Sequence, residues 1–550
     1  MIIKSSFRAK HYNLEYSIYA KQKGEKMITF VPSWQGVSSG EFSTDDLIGS
    51  IQSFHASQES YRIVVSDYLP HLRYFLHRFG LLESEYVSLF DQLQGFEGRF
   101  QEALTLEDLD FPDTVSYTYT PFSILVYQKG VQIGEVIMRE GAHISEVKHF
   151  HNSQLIFIEV YDDRGFLSSR QLYENGNHTS TEYLDAFGQR IFLHFQKEGD
   201  CLINIANKKT LLRDHYESLD ALVFELLEAE FQRVDDSCIM LSVHDRNRQT
   251  LNRSLFLDRM VLSYFERRVS MNPDFKLIDR FLLAKVRAVV ADTDALYQAL
   301  GALTEDIKKV YKISPFDTRF SLSASQEMKE EVLYFDLRQT GLEDNQEIIL
   351  KTFDFVRERV LEDDARRFKI IVRALALHVS SLEDYYLQLV MDDFPEEMML
   401  LEEIEREGEG ENVLNALLVG ETKQRVASVK ALRDGFEVFG VVHDDVLFKV
   451  LHGTRLILDL APHPDLFTQI AGISSGLPQI NRVETDYVQM HKNGWTSQDF
   501  GQLPQAMEYY LDSLKHWQEA RASSVQQIKR FSGVVLCQKV LALFEREIHG

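Results

Sequence analysis

The chain has 550 residues, of which 44% are hydrophobic and 26% are charged, and its formal net charge is -25. This length is too great for one compact core and predicts two or three domains. The composition is that of a globular protein and excludes wholesale disorder. The negative charge disfavours binding to nucleic acid, because its field repels a polyanion.

The cysteine content and the apolar runs indicate the compartment. Cys201, Cys238 and Cys537 are too few and too scattered for a disulfide framework or a metal cluster, so we predict a reducing cytosol. Residues 1–26 lack the apolar core of a signal peptide, and we expect a tail without a function, either native or an artefact of start-codon choice. No apolar run approaches the roughly 20 residues that span a bilayer, so any peripheral membrane association would come through a partner or a surface patch.

The first elements alternate strand and helix. Residues 27–31 and 61–66 read as buried strands, with a helix over about 44–58 between them. Residues 68–78 follow as a second helix, with Pro70 near its start, where a missing amide donor costs nothing. This order predicts a doubly wound, mostly parallel sheet, and we assign 27–114 to the first part of a Rossmann-like domain.

A different periodicity begins at Val115. Over 115–205 the pattern is period-two alternation interrupted by turn signals, which predicts an antiparallel β-meander inserted into the α/β domain. The α/β pattern resumes over 206–320 with a helix at 219–232 and a strand at 237–243. We therefore expect the first domain to continue beyond the insertion.

A second α/β domain is predicted over 321–550, with C-terminal helices. Its pattern contains five strands and three helical regions. The strands are 331–336, 368–372, 436–442, 455–460 and 476–480, and the helical regions are 345–361, an acidic stretch at 383–411, and 504–548.

Local motifs carry a resemblance to a known family. The segments FVPSW (30–34), DYLPHLRYFLHR (67–78) and SLFDQLQ (88–94) are similar to the first domain of the glycosyltransferase-like subunit of the accessory secretory protein complex. Residues 455–460 (RLILDL), 464–483 and 492–494 resemble the second domain of the same family. The resemblance covers most of 27 to about 517.

The resemblance implies a fold and a function. The implied fold is α/β and GT-B-like, with two Rossmann-like domains facing a cleft and a β-meander inserted in the first. The implied function is export of a glycosylated, serine-rich repeat adhesin through the accessory SecA/SecY pathway. The implied partners are the second and third accessory secretory proteins, the accessory SecA ATPase and the adhesin, in the cytoplasm at the inner face of the membrane.

The donor site of active relatives of this fold looks degenerate here. In those relatives a Gly-rich loop at a helix N-terminus receives the donor diphosphate, and two glutamates eight positions apart line the site. The corresponding positions are His463 and Ala471, and neither is a carboxylate. Two prolines remove amide donors from the loop at 461–465, and Asp465 places negative charge where phosphate would sit. We expect no catalytic residue, no cofactor and no metal.

Arg338 is the remaining candidate cation for the leaving diphosphate. It stands near the place where active relatives carry a basic pair, and the lysine position next to it is acidic. Its ordinary interpretation is a salt bridge on the surface, which we favour over a ligand-binding role.

Two further motifs have ordinary explanations. Residues 472–476 match the G-x-S-x-G pattern of a hydrolase, but the predicted order is helix then strand, so Ser474 is interpreted as a small packing residue. His149 and His151 would share one strand face and suit a metal, yet no third ligand is near, and an exposed pair is the preferred interpretation.

The acidic run at 395–405 and the meander tyrosines allow binding roles. The run could dock a basic partner, although such runs are usually the solvated side of a helix. Tyr117, Tyr119, Tyr161 and Tyr173 could stack on sugars, although cross-strand packing is the more common role.

The leading hypothesis from the sequence is a non-catalytic export subunit. Two alternatives stay open. One is an active glycosyltransferase that modifies serine-rich protein, and the other is a lectin-like subunit that binds glycans without turnover.

Overall fold

The computed structural model describes residues 27–34, 45–96, 104–139, 143–204, 211–233, 238–269, 273–319, 321–363, 366–406, 420–440 and 444–545. The predicted tail at 1–26 lies outside these residues. The described residues form two compact units. The first contains 27–315 and 539–545, and the second contains 316–538.

The first unit begins with the predicted alternation of strands and helices. All four residues of the first strand are buried, as expected for a strand covered on both faces. Ser88 caps the third helix by accepting a hydrogen bond from the Asp91 amide. The elements are β1 (Ile28–Val31), α1 (Ile48–Ser57), β2 (Tyr61–Val65), α2 (Leu72–Arg78), β3 (Tyr86–Ser88) and α3 (Leu89–Gln94).

The predicted meander is confirmed as a ten-stranded antiparallel sheet in which each strand pairs with the next along the chain. The sheet extends beyond the predicted end at 205, since β13 pairs with β12. The sequence did not reveal β13, because a strand of 2 residues is too short to show an alternation. The strands are β4 (Ser116–Tyr119), β5 (Ile124–Gln128), β6 (Val131–Arg139), β7 (His143–His151), β8 (Gln154–Tyr161), β9 (Leu167–Glu174), β10 (Asn177–Leu184), β11 (Arg190–Phe195), β12 (Cys201–Ile203) and β13 (His215–Tyr216).

A cluster of ion pairs, which we call the meander clamp, joins α2 and α3 to the turn between β8 and β9. The Arg73 guanidinium contacts the carboxylates of Asp163 and Asp162 at 2.6 Å and that of Asp91 at 2.5 Å. Arg164 contacts Asp162 at 2.6 Å and Asp91 at 3.0 Å. Because these carboxylates are buried, loss of either arginine would leave negative charge without compensation.

The first unit continues with a parallel sheet that the meander interrupts. Its strand order is β17-β16-β15-β14-β1-β2-β3, so the chain order reverses between β1 and β14. Ligand sites of doubly wound sheets lie at the carboxyl ends of the strands beside such a reversal. The remaining elements are α4 (Leu219–Arg233), β14 (Cys238–Ser242), α5 (Asn247–Leu251), β15 (Met260–Tyr264), α6 (Pro273–Lys285), β16 (Ala288–Ala291), α7 (Asp294–Gly301) and β17 (Val310–Lys312).

The second unit contains a six-stranded parallel sheet of order β20-β19-β18-β21-β22-β23, which reverses between β18 and β21. The predicted acidic helical region is two helices, and its residues 407–411 lie outside the described residues. The elements are β18 (Glu330–Asp336), α8 (Leu342–Glu362), β19 (Arg367–Arg373), α9 (Val379–Asp393), α10 (Pro395–Arg406), α11 (Glu421–Asp434), β20 (Phe436–Phe439), α12 (Asp444–Gly453), β21 (Thr454–Asp459), α13 (Leu466–Ser475), β22 (Gln479–Asn481), β23 (Gly494–Thr496), α14 (Leu503–Leu511), α15 (Leu514–Ile528) and α16 (Gly533–Glu545).

The last helix, α16, ends in the first unit. The predicted division placed all of 321–550 in the second domain, whereas residues 539–545 belong to the first unit. The Arg287 guanidinium donates hydrogen bonds to the carbonyl oxygens of Leu543 and Phe544, at 2.9 and 2.8 Å. Carbonyl oxygens in the last turn of a helix have no amide donor within the helix, and these two accept from Arg287 instead.

Candidate functional site

The carboxyl-terminal edge of the second sheet carries a row of polar residues at the point where the strand order reverses. We call it the polar row, and it consists of Arg373, Asp336, Asp459, Asn481 and Thr496. Neighbouring members lie side by side on β19, β18, β21, β22 and β23. The first four are at most 2% exposed. Burial of polar groups costs free energy wherever they are not hydrogen-bonded or paired.

Arg338, which follows β18, supplies one such partner. Its Nη2 lies 2.6 Å from Asp336 Oδ2 and 3.0 Å from Asp465 Oδ2, and its Nε lies 2.9 Å from Asp336 Oδ1. Burial alone would lower the pKa of Arg338, but the two carboxylates outweigh it and raise this pKa above its usual value. The predicted salt bridge is present, but it is largely buried instead of lying on the surface.

The N-terminus of α13 is capped from within the protein. Asp465 accepts hydrogen bonds from the amide and the hydroxyl of Thr468, at 3.2 and 2.8 Å. Asp459 accepts from the amides of Ala461 and Asp465, at 3.2 and 2.6 Å. In a phosphate-binding loop the amides at a helix N-terminus point at the ligand, whereas these amides are bonded to carboxylates of the same chain.

The edge carries no excess of positive charge. Burial, followed by the neighbouring carboxylates of Asp336 and Asp465, raises the pKa of Asp459 well above its usual range. With or without a charge on Asp459, the carboxylates of Asp336 and Asp465 are equal in number to the guanidinium groups of Arg338 and Arg373. The edge therefore has no net positive charge with which to hold a diphosphate.

Part of the polar row keeps hydrogen-bonding capacity. Nε and Nη1 of Arg373, and both polar side-chain atoms of Asn481, are buried without a hydrogen-bond partner in the described part of the chain. The Thr468 hydroxyl, which contacts Asp465, also lies 3.0 Å from Oδ2 of Asp336 in the polar row. Buried polar atoms without partners are rare in native proteins, so these positions are suited to ordered water.

The four residues predicted to mark the donor pocket lie in different surroundings. Arg338 and Asp465 are in contact, as described above. His463 is exposed in the loop before α13, whereas Ala471 is fully buried in the helix. Sequence reasoning missed Asp336, Asp459 and Thr468. A carboxylate at the end of each of two buried strands, β18 and β21, was the signal available in the sequence.

The ordinary interpretations of the other motifs are tested by the structure. Ser474 is fully buried near the end of α13, and the strand β22 follows that helix, so the predicted order of helix then strand is confirmed. His149 is not part of an exposed pair. Its ring stacks on Phe111 and Phe157, and its Nε2 lies 3.1 Å from a carboxylate oxygen of Glu159.

His149 is covered by these two aromatic rings, whereas His151 is exposed, and a register shift lies between His149 and Phe150. Among the described residues, no three potential ligands of the His, Cys, Asp and Glu types come together as a metal site.

The meander tyrosines have diverse environments. Tyr173 stacks on its cross-strand neighbour His178, as predicted. Tyr161 is 8% exposed and its hydroxyl donates to Glu159, whereas Tyr119 is 70% exposed. Tyr117 packs against the core of the meander. Only Tyr119 among these four is largely open to solvent.

The acidic run at 395–405 lies on α10, in agreement with the prediction that it forms one side of a helix. Three of its glutamates are paired within the unit. Glu397 contacts Arg425 and Glu405 contacts Arg433, each at 2.5 Å. Glu402 pairs with Arg406 of the same helix at 3.4 Å.

Comparison with solved structures defines the class of fold. The pneumococcal O-GlcNAc transferase GtfA, in complex with UDP and GlcNAc, aligns with 96% of this chain and 100% of its own chain, with a TM-score of 0.63 and 13% identity. At this identity the likeness shows the fold alone, which is that of the GT-B glycosyltransferases. The predicted GT-B-like α/β fold is thereby confirmed.

The family is narrower than this class. The family model of the accessory Sec system protein known as accessory secretory protein 1 matches residues 27–546. The chain is 29% identical over 533 residues to the accessory Sec system protein of this family from Streptococcus gordonii, covering 92% of this chain and 97% of that relative. The chain belongs to the accessory secretory protein 1 family of the accessory Sec system, as the sequence motifs indicated.

One relative has been crystallised together with two other accessory secretory proteins. The structure of accessory secretory proteins 1, 2 and 3 of Streptococcus pneumoniae contains a chain that aligns with 94% of this chain and 99% of its own, with a TM-score of 0.72 and 29% identity. In the described part of our chain, none of the helices combines the length and the apolar character needed to cross a bilayer.

Proposed function

We propose that the chain is a non-catalytic subunit of the accessory Sec export machinery, needed for secretion of glycosylated, serine-rich repeat adhesins. It works in the cytoplasm at the inner face of the membrane. Its partners are the second and third accessory secretory proteins, the accessory SecA ATPase and the glycosylated adhesin. Family membership and the three-protein structure from Streptococcus pneumoniae support this assignment.

One observation carries the non-catalytic part of the proposal. The groups that a glycosyltransferase would turn toward a nucleotide sugar are bonded to each other here: Arg338 is held by Asp336 and Asp465. A sugar diphosphate would have to break this buried ion pair and to approach the Asp465 carboxylate, which caps the helix that should receive it. We propose that Arg338, His463, Asp465 and Ala471 mark a degenerate donor pocket.

The assembly is tested by affinity purification of the tagged full-length chain from cells that carry the sibling proteins, the accessory ATPase and the adhesin. We expect the second and third accessory secretory proteins to co-elute with it, and the glycosylated adhesin to be retained in the cytoplasm when the chain is deleted. A matched strain that lacks the adhesin separates association with siblings from association with the client. Elution without any sibling or ATPase, together with normal adhesin export in the deletion strain, contradicts the proposal.

A further inference from the structure

Arg373, the last residue of β19, is a buried cation without a counter-ion. It is 1% exposed. Among the residues that the structure describes, its guanidinium forms no ion pair, and its Nε and Nη1 donate no hydrogen bond. A guanidinium stays protonated in proteins, so this charge is not removed by loss of a proton. Because an uncompensated buried charge is strongly destabilising, Arg373 requires a negative charge that the described chain does not supply.

Two other buried arginines show the usual arrangement. Arg248 is fully buried, and its Nη1 lies 3.2 Å from the carboxylate of Asp279, which is fully buried as well. Arg338, next to Arg373 at the same edge, is held by the carboxylates of the polar row and of the α13 cap. Arg373 therefore differs from Arg248 in its lack of a partner and not in its degree of burial.

The carboxylate beside Arg373 in the sheet is already engaged. Asp336 is the cross-strand neighbour of Arg373. Its Oδ1 accepts from Nε of Arg338 at 2.9 Å, and its Oδ2 accepts from Nη2 of the same residue at 2.6 Å. The Thr468 hydroxyl contacts Oδ2 as well, at 3.0 Å. Only the longer-range field of this carboxylate reaches Arg373, which weakens with distance.

A hydroxyl donor lies on the same face of the sheet. Tyr334 is two residues before Asp336 on β18, so it shares the face of Asp336 and Arg373. Its hydroxyl is buried and has no hydrogen-bond partner within the described ranges. Burial, followed by the charge of Asp336, raises the pKa of Tyr334 above its usual value, although the charges of Arg373 and Arg338 oppose this shift. The hydroxyl is therefore protonated and can donate.

An anion with one charge suits these groups better than water or phosphate. Water accepts hydrogen bonds from a guanidinium but leaves its charge uncompensated. A phosphate or diphosphate brings more than one negative charge close to Asp336 and Asp465, which repel it. A halide carries a single charge and accepts hydrogen bonds from any direction, so it does not need the planar fork of donors that a carboxylate or phosphate prefers.

We propose that Arg373 and Tyr334 hold one chloride ion at the carboxyl end of β19, with the guanidinium as the counter-charge and the hydroxyl as a further donor. The bound ion stabilises the second unit and has no part in sugar chemistry. The inference goes beyond the proposed export function and does not rest on it. Its failure would leave the co-purification result unchanged, so the two tests are distinguishable.

Thermal unfolding of the full chain at constant ionic strength tests the proposal, with sodium chloride replacing sodium gluconate. We expect the midpoint to rise by about 2 °C up to about 100 mM chloride and then to saturate, as for one site that is half-saturated at about 10 mM. A general salt effect on burial would not saturate in this range. Sodium bromide should act as chloride does, and crystals soaked in bromide should show an anomalous peak in contact with the Arg373 guanidinium.

Substitutions separate this site from other effects of chloride. Arg373→Met removes the charge and keeps the length of the side chain, so the midpoint should no longer depend on chloride. Tyr334→Phe removes one donor and should raise the half-saturating chloride concentration about fivefold. Arg248→Met is the matched control, because this arginine is equally buried but paired with Asp279, and it should lose stability while keeping the chloride dependence. Should it fail to fold, Arg406→Met removes an exposed arginine and should respond to chloride as the unchanged chain does.

A midpoint of the unchanged chain that does not respond to chloride overturns the proposal, and so does a chloride dependence that persists in Arg373→Met. Bromide peaks that occur elsewhere in the crystal, with none at Arg373, overturn it as well. Should Arg373→Met fail to fold, the bromide peak and the shift in Tyr334→Phe still decide the question.

Discussion

The two sheets reverse their strand order in the same way, but the space at the two reversal points differs. In the first sheet the residues after β1, β2 and β14 line a pocket of about 120 Å³ that includes Ser33, Ser66 and His244. In the second sheet Asp336 and Asp459, at the ends of β18 and β21, meet Arg338 and Thr468, and the space is occupied by the protein's own ion pairs. The same reversal of strand order thus occurs in both units, while the side chains decide whether the space beside it is open.

The largest expected effect comes from removing the cation of the second site. Arg338→Ala leaves Asp336 and Asp465 buried without their partner, so we expect it to lower the free energy of unfolding by about 4 kcal/mol. Urea denaturation measures this change. Arg406→Ala removes an exposed arginine from an ion pair within α10 and should change stability by less than about 0.5 kcal/mol. A loss as small as that of the control would show that the buried network is not important for the fold.

The meander clamp should be the next most sensitive place. Arg73→Leu removes contacts with three carboxylates, but Arg164 still contacts Asp91 and Asp162 and compensates part of their charge, so we expect a loss of about 3 kcal/mol. Hydrogen exchange should increase first in β8 and β9, next to the turn that contains Asp163. An increase spread evenly over both units would contradict a local role.

A smaller effect is expected from the hydroxyl at the centre of the second site. Thr468→Val keeps the shape of the side chain but removes the hydroxyl proton that Asp336 and Asp465 share as acceptors, so we expect a loss of about 2 kcal/mol in chemical denaturation. Thr468→Ser keeps the hydroxyl and should recover most of this loss. Equal stability of the valine and serine variants would be inconsistent with these bonds.

The smallest effect concerns the pH dependence of the meander. Burial of Glu159 opposes ionisation, but hydrogen bonds from His149 and Arg170 outweigh it and lower the pKa of Glu159 to about 2. A lowered carboxyl pKa stabilises the fold above the unfolded value of 4.5, and this contribution is lost as the pH falls toward 2.

Glu159→Gln should therefore be less stable than the unchanged chain by about 1 kcal/mol at pH 7, and this difference should narrow between pH 4.5 and pH 2. Thermal unfolding across this range measures it. A difference that is constant with pH would contradict the account of the Glu159 ion pairs.

The architecture could be predicted because burial of one or both faces of a helix or strand leaves a local periodicity of apolar residues in the sequence. The switch to period-two alternation at 115 located the meander, and the buried runs at 27–31 and 331–336 located the first strand of each unit. The short strand at 215–216 and the division of the acidic region into two helices were missed, since each depends on pairing and packing beyond the local pattern.

The candidate site was harder to predict from the sequence than the fold. Arg338 and Asp465 were recognised as individual residues, but they are 127 positions apart in the chain, and their contact depends on the register of β18 and β21. The surface position expected for Arg338 was wrong for the same reason. His149 was misjudged because its burial depends on Phe111 and Phe157, which stack on it from other segments of the chain and leave no local pattern in the sequence.

Calorimetric titration of the chain with UDP-N-acetylglucosamine and UDP-glucose tests the central claim most directly, with an active glycosyltransferase of this fold as the positive control. Because Asp336, Asp459 and Asp465 already occupy the amides and the arginine of the second site, we expect no heat of binding at millimolar nucleotide sugar and no release of UDP. Saturable binding that Arg338→Ala abolishes, together with sugar transfer to a serine-rich peptide, would contradict the claim that this subunit has no transferase chemistry.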